Sequence, residues 1–243
     1  MSDISVITEN GVATITIDRP AKRNAIDLAA CHAIADSVEQ AVAAQARVIV
    51  VTGAGGHFCA GADLGGVEDE GFRTAIRRTL DSLRAAPVVT MAAIDGAALG
   101  AGVQLAAACD VRVATPHVRF GVPAAKLGLA VDHTTVQQVA MLIGGAQARA
   151  MLLACEEVDG QRAYDLGFVN RIGTLADAHE WATKIAALAP LTIAAHKLAL
   201  NRLEPNLDDT DVIDAVATAW ASADLQEGRA AFAEKRRPNF TGK

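Results

Sequence analysis

The sequence predicts an α/β fold, with an α/β core over about residues 1–190 and a helical C-terminal segment over 191–243. Three observations carry that prediction. Short apolar runs bounded by glycine or proline alternate with longer segments of helical period through the first half of the chain. Such alternation is the pattern of βαβ units, with parallel strand pairing. From about residue 134 the pattern is almost wholly helical, and Pro190 marks the boundary. Finally, 243 residues that are 51% apolar can bury a sizeable core, and this is not a disordered or fibrous composition.

Each element has its own reason. SVITENGVATITIDRP reads as two strands around an Asn10-Gly11 turn, the second alternating through Val12, Thr14 and Thr16. A helix is expected from about Asp27 to Ala44, with Asp27 as its cap. RVIVVTG is a short buried strand ending at Gly53. GAGGHFCAGADLGG holds six glycines and must be a loop, because glycine makes helix or strand expensive. A helix follows over Glu68–Ala85, then a strand, PVVTMAAI, opening at Pro87. DGAALGAGVQLAAA passes from loop into helix, and CDVRVAT is another strand. Helices are then expected at 134–143, 147–154, 174–188, 190–203, 209–222 and 224–235. Aromatic residues make up only 4%, so Ala, Val, Leu and Ile must fill the core.

Composition also excludes some functions. A formal charge of −6 argues against broad nucleic-acid binding, although a local basic site for an anionic ligand is compatible with it. The cysteines at 31, 59, 109 and 155 have no metal-ligand spacing and read as reduced cytosolic thiols. MSDISVITEN lacks a signal-peptide pattern, and no apolar run reaches membrane-spanning length, so the expected location is cytoplasmic. No metal is expected.

Two loops could carry chemistry. Cys59-Ala60-Gly61-Ala62-Asp63 follows the strand near residue 50, and Leu99-Gly100-Ala101-Gly102 follows the strand over 88–94. Small residues let backbone N–H groups approach a ligand, and a helix start leaves such groups unpaired. Two donors converging on one oxygen would form an oxyanion hole, able to stabilise an enolate. Glycines that merely make turns would look the same. Neither loop has the ending of a phosphate loop or a dinucleotide fingerprint.

Taken together and in order, RPAKRNAI (19–26), VVTGAGGHFCAGADL (50–64), IDGAALGAGVQLAAACDVRVA (94–114), RFGVPAAKLGL (119–129) and AFAEKRRPNF (231–240) resemble the crotonase, or enoyl-CoA hydratase/isomerase, superfamily. The resemblance spans essentially the whole chain. It implies a spiral core of repeated ββα units and C-terminal helices that mediate trimer packing, as a homotrimer or a hexamer built as a dimer of trimers. It implies an acyl-CoA thioester as substrate or ligand, in fatty-acid or lipid metabolism, and no permanently bound cofactor. The thioester carbonyl would lie against the backbone N–H groups of Ala62 and Ala101, flanked by Ala60, Asp63 and Leu64. Lys22 and Arg23 would lie near the CoA nucleotide. Phe232 and Lys235 match positions that reach CoA, commonly from a neighbouring subunit. For Lys235 a solvated basic cluster at a helix end is the other reading.

The chain departs from the hydratase pattern at two positions. The glutamate of GGGxEL is replaced by Gln104 in GAGVQL, and that of FGxPE by Ala124 in FGVPA. Gln104 cannot act as a general base at neutral pH, and Ala124 can neither donate nor accept a proton. Efficient hydration is therefore not expected. GLAVD resembles the dienoyl-CoA isomerase branch, in which Asp132 would shuttle a proton along the acyl chain. Asp132 could equally cap the helix that begins near Thr134. A noncatalytic acyl-CoA carrier or partner protein is the third reading. His57, His117 and His133 have no assignable partner. The Gln104 amide, in an apolar helix, should be hydrogen-bonded to Asp132 or to an ordered water. Phe72, Ile76 and Leu80 form an apolar helix face that could line an acyl tunnel or pack against the core.

Overall fold

A computed structural model describes residues 3–65, 70–201, 217, 220–236 and 238. Strands β1 (Ile4–Glu9) and β2 (Val12–Ile17) pair antiparallel around Asn10 and Gly11, whose φ angles are +50° and +77°. Both values are positive, as a tight hairpin turn requires, and Asn-Gly meets that demand at low cost. Helix α1 (Leu28–Ala43) is capped as expected, with the Asp27 carboxylate accepting from Ala30 N–H at 2.9 Å. Next come β3 (Val48–Gly53), α2 (Glu70–Ala85), β4 (Val89–Ile94), β5 (Ala97–Leu99), α3 (Ala101–Ala108), β6 (Val111–Ala114) and β7 (Arg119–Gly121). After a 3-10 turn at Pro123–Leu127 the chain forms α4 (His133–Ile143), α5 (Gly145–Leu153), β8 (Val158–Asp159), α6 (Gly160–Asp165) and β9 (Arg171–Ile172). Helices α7 (Leu175–Ala186), α8 (Pro190–Asn201) and α9 (Ala223–Ala233) complete the described elements.

The large sheet has the order β1-β2-β3-β4-β6-β9 and is parallel from β2 onward. The small sheet has the order β5-β7-β8. The units β4-β5 and β6-β7 each place their first strand in the large sheet and their second in the small one before the chain turns into α3 or towards α4. This is the spiral ββα arrangement. β3 is apolar on both faces because both are covered. On one side Val48, Val50 and Met91 meet Ala178, Ala182 and Ile185 of α7. On the other, Ile15, Ile49 and Val51 join the main core with α1, α2 and α3.

The structure corrects the pattern in several places. Ala97–Leu99 is a strand, where a loop running into a helix is expected. β8 and β9 interrupt the stretch expected to be helical, and Gly160–Asp165 adds a helix. Cys109 lies at the end of α3 rather than within a strand, and it is buried. The expected helix over 209–222 falls almost entirely outside the described residues, as do the start of the helix expected at Glu68 and most of residues 237–243.

α8 is tied to the core by Lys197, whose Nζ donates to Asp110 Oδ2 at 2.7 Å and to the carbonyls of Leu83 and Val88 at 3.0 Å. α9 is seated on the Pro123–Leu127 turn through glycine. A Cβ at Gly228 would lie 2.3 Å from Leu127 O, and one at Gly128 would lie 2.4 Å from Asp224 O.

Candidate functional site

The two glycine-rich loops are stitched together by backbone hydrogen bonds. Cys59 N–H donates to Ala97 O at 2.9 Å, and Leu99 N–H donates to Cys59 O at 3.0 Å. On the other flank Ala60 N–H reaches Arg23 O at 3.0 Å, Ile26 N–H reaches Gly61 O at 2.9 Å and Asp63 N–H reaches Ile26 O at 2.7 Å. Residues 59–63 are thus held between residues 23–26 and β5.

Asn24 organises this arrangement from within. It is fully buried at φ +59°, a conformation asparagine tolerates better than most residues. Its amide donates to Ala54 O and His57 O, and its carbonyl oxygen accepts from Arg19 N–H. The sequence pattern does not single it out, although it sits inside RPAKRNAI. Gly100, at φ +53° and ψ −111°, turns the chain from β5 into α3. Few residues other than glycine adopt that combination.

These loops border a cavity of about 770 Å³, within the range of small-molecule sites. Lys22, Arg23, Ala60, Ala62, Asp63, Leu64, Ala101, Gln104, Ala124, Asp132 and Phe232 all line it. Lys235 does not. It follows α9 in a left-handed conformation and is exposed. Nor does any of His57, His117 or His133 line the cavity. Phe72, Ile76 and Leu80 line the cavity, and Phe72 and Leu80 also belong to the buried core, as the packing expectation for that helix face requires.

Among the described residues, neither Ala62 N–H nor Ala101 N–H donates a backbone hydrogen bond. Ala101 is the first residue of α3, where the helix itself provides no acceptor. Gln104 is the one residue of α3 that is not buried, and its side chain turns into the cavity. Its side-chain amide makes no hydrogen bond to Asp132 or to any other described residue. The Asp132 carboxylate is directed elsewhere, accepting from Thr135 N–H at 3.1 Å and Thr135 Oγ1 at 2.6 Å. Asp132 therefore caps α4 while it borders the cavity.

Asp63 pairs with Lys22 Nζ at 2.5 Å and lies 3.6 Å from Arg19 Nη2. The Lys22 hydrogen bond, reinforced by the Gly65 N–H and the nearby cationic charges, holds its carboxyl below the usual carboxylate range. Asp63 fixes the loop. All four cysteines are free and buried. Burial pushes the Cys31, Cys59 and Cys109 thiols up to about 12. The cavity carboxylates are Asp63, Asp81 and Asp132. Among the described residues no cluster of acidic, histidine or cysteine side chains could hold a metal, and no helix is long and apolar enough to cross a membrane.

A family model described as enoyl-CoA hydratase/isomerase matches residues 7–243. A probable enoyl-CoA hydratase of Mycobacterium tuberculosis is 40% identical over 250 residues, covering 98% of this chain and 99% of the relative. The 2,3-dehydroadipyl-CoA hydratase of Escherichia coli is 32% identical over 257 residues, covering both chains in full. The crystal structure of a carnitinyl-CoA hydratase from Mycobacterium avium superposes with a TM-score of 0.89 at 29% identity, covering 100% of each chain.

Proposed function

Because the chain belongs to the enoyl-CoA hydratase/isomerase family, we propose that it binds an acyl-CoA thioester in this cavity and has little or no hydratase activity. The thioester carbonyl accepts from Ala62 N–H and Ala101 N–H, and Lys22 and Arg23 face the CoA nucleotide at the cavity rim. Phe232, exposed on α9 and bordering the same space, covers the ligand. Lys235 serves a CoA only from a neighbouring subunit, since it lies away from its own cavity. The exposed leucines at 191 and 198, seven residues apart on one side of α8, supply an apolar face for a trimer, or for a dimer of trimers.

One observation carries the reading: the cavity positions where hydration would need a general base and a general acid hold Gln104 and Ala124. The names of the relatives point to hydration. Each missing carboxylate, however, removes a factor of about 10² to 10⁴ from such a reaction. The chain is then a carrier or partner protein for acyl-CoA in lipid metabolism.

Asp132 supports a second reading, as an enoyl-CoA isomerase, because it borders the same cavity as Ala62 and Ala101. Its bonds to Thr135 favour the cap role. Titration with saturated and 2-enoyl CoAs by calorimetry, followed by assays of hydration and double-bond migration at high protein, separates the readings. Binding without turnover is the expected result. Migration that disappears in Asp132→Ala while binding survives would establish the isomerase, and robust hydration would overturn both.

A further inference from the structure

Helix α2 lines the cavity with two stripes of different character. Phe72, Ile76 and Leu80 recur every four residues and form an apolar strip. Beside it Arg73, Arg77 and Arg84 border the same space, opposed on this helix by one carboxylate, Asp81. Arg73 and Arg77 stay in contact with water, whereas Arg84 is drawn largely out of it, at a cost in free energy that hydrocarbon alone cannot return.

The hydrogen bonds at these arginines leave capacity for an anion. Arg84 is only 16% exposed, donating to Asp81 Oδ1 at 3.0 Å and to Gln138 Oε1 at 2.5 Å. Its Nε is buried without a partner among the described residues. Asp81 is itself 60% exposed, so this pairing is weak. The Arg73 guanidinium lies 4.8 Å over the Trp220 ring. Arg77 makes no ion pair or hydrogen bond among the described residues. The charge of Lys22, by contrast, is already matched by Asp63.

We propose that the acyl chain taken by this cavity ends in a carboxylate, so that the ligand is an ω-carboxyacyl-CoA thioester whose far end is met by Arg77 and Arg84. This rests on the acyl-CoA reading above. Arginine matches a carboxylate with two parallel N–H donors, and a guanidinium is less heavily hydrated than an ammonium. The apolar strip accommodates the methylenes between thioester and carboxylate.

Calorimetry on matched pairs of equal length tests the proposal: butyryl- and succinyl-CoA, hexanoyl- and adipoyl-CoA, octanoyl- and suberoyl-CoA. For at least one pair the carboxylate member should bind wild type roughly tenfold or more tightly than its partner. Arg77→Met and Arg84→Met should each reduce that preference while leaving affinity for the plain acyl-CoA and for CoA alone unchanged. The absence of any preference, or a preference that survives both substitutions, overturns the proposal. Equal weakening of both members and of CoA would show that the arginines serve the nucleotide phosphates, and overturns it too. Thermal denaturation checks the fold of each variant. If Arg84→Met does not fold, Arg77→Met at its exposed position decides. Binding of plain acyl-CoA without preference defeats this proposal alone, whereas binding of neither member defeats the acyl-CoA reading as well.

Discussion

Gly102 lies flush against Cys59: a Cβ at position 102 would stand 2.2 Å from the Cys59 carbonyl oxygen. Helix α3 thereby approaches the loop that carries Ala62 closely enough for Ala62 and Ala101 to border one cavity. Helix propensity alone would have Gly102→Ala gain about 1 kcal/mol. The contact with a backbone carbonyl reverses the sign, and overpacking of this kind costs roughly 1–3 kcal/mol. Urea denaturation should show that loss, and calorimetry should show weakened acyl-CoA binding. A stabilised variant would contradict the close packing.

Lys197 is 6% exposed and meets Asp110 at 2.7 Å. Asp110→Ala leaves the ammonium buried among neutral acceptors, and breaking a buried pair from one side costs about 3–5 kcal/mol. Lys197→Met should cost less, because the Asp110 carboxylate keeps its bonds to Thr90 N–H and Thr90 Oγ1 and is partly exposed. Denaturation of both single variants and the double variant gives the coupling. Strictly additive losses would show that the pair does not act as one.

Asp63 should leave a signature in acid. Its carboxyl is held below the ordinary range, chiefly by the Lys22 hydrogen bond. The corresponding stability is therefore fully present above the ordinary carboxylate value of about 3.9, and is lost as pH falls through the lower folded value. Lys22 is more than half exposed, so the effect is below about 1 kcal/mol. The stability difference between wild type and Asp63→Asn should be flat near neutrality and shrink below about pH 4. A difference that widens in acid would contradict the assignment.

Burial and raised thiol values make Cys31, Cys59 and Cys109 poor nucleophiles, since the thiolate is the reactive form. An aromatic disulfide reagent at pH 8 should modify these three only after denaturation. Modification of the native protein at the rate of the unfolded chain would show that the core opens there.

The long elements were legible because their patterns are long. Helix α1, its cap at Asp27, the hairpin at Asn10-Gly11 and the buried strand β3 follow from periodicity and turn chemistry. Strands β5, β7, β8 and β9 have only two or three residues each, too few for a period-two signal, and they exist because neighbouring backbone supplies their partners. Ala62, Ala101, Gln104, Ala124 and Asp132 were legible as a set through the ordered motifs, and all border one cavity. Arg77 and Arg84 were not. Charges beside an apolar helix stripe are what any solvated helix displays, and only the packing of α2 turns that flank toward the cavity. Of the two partners expected for Gln104, Asp132 or an ordered water, the first is excluded because Thr135, in the first turn of α4, satisfies the carboxylate locally.

The seating of α9 on the Pro123–Leu127 turn has a temporal consequence. Translation runs from the N-terminus, so both glycine-rich loops emerge from the ribosome long before Gly228 and Phe232. Of α9 only Phe232 borders the cavity, so that part of the wall is completed last, once α9 docks through Gly128 and Gly228.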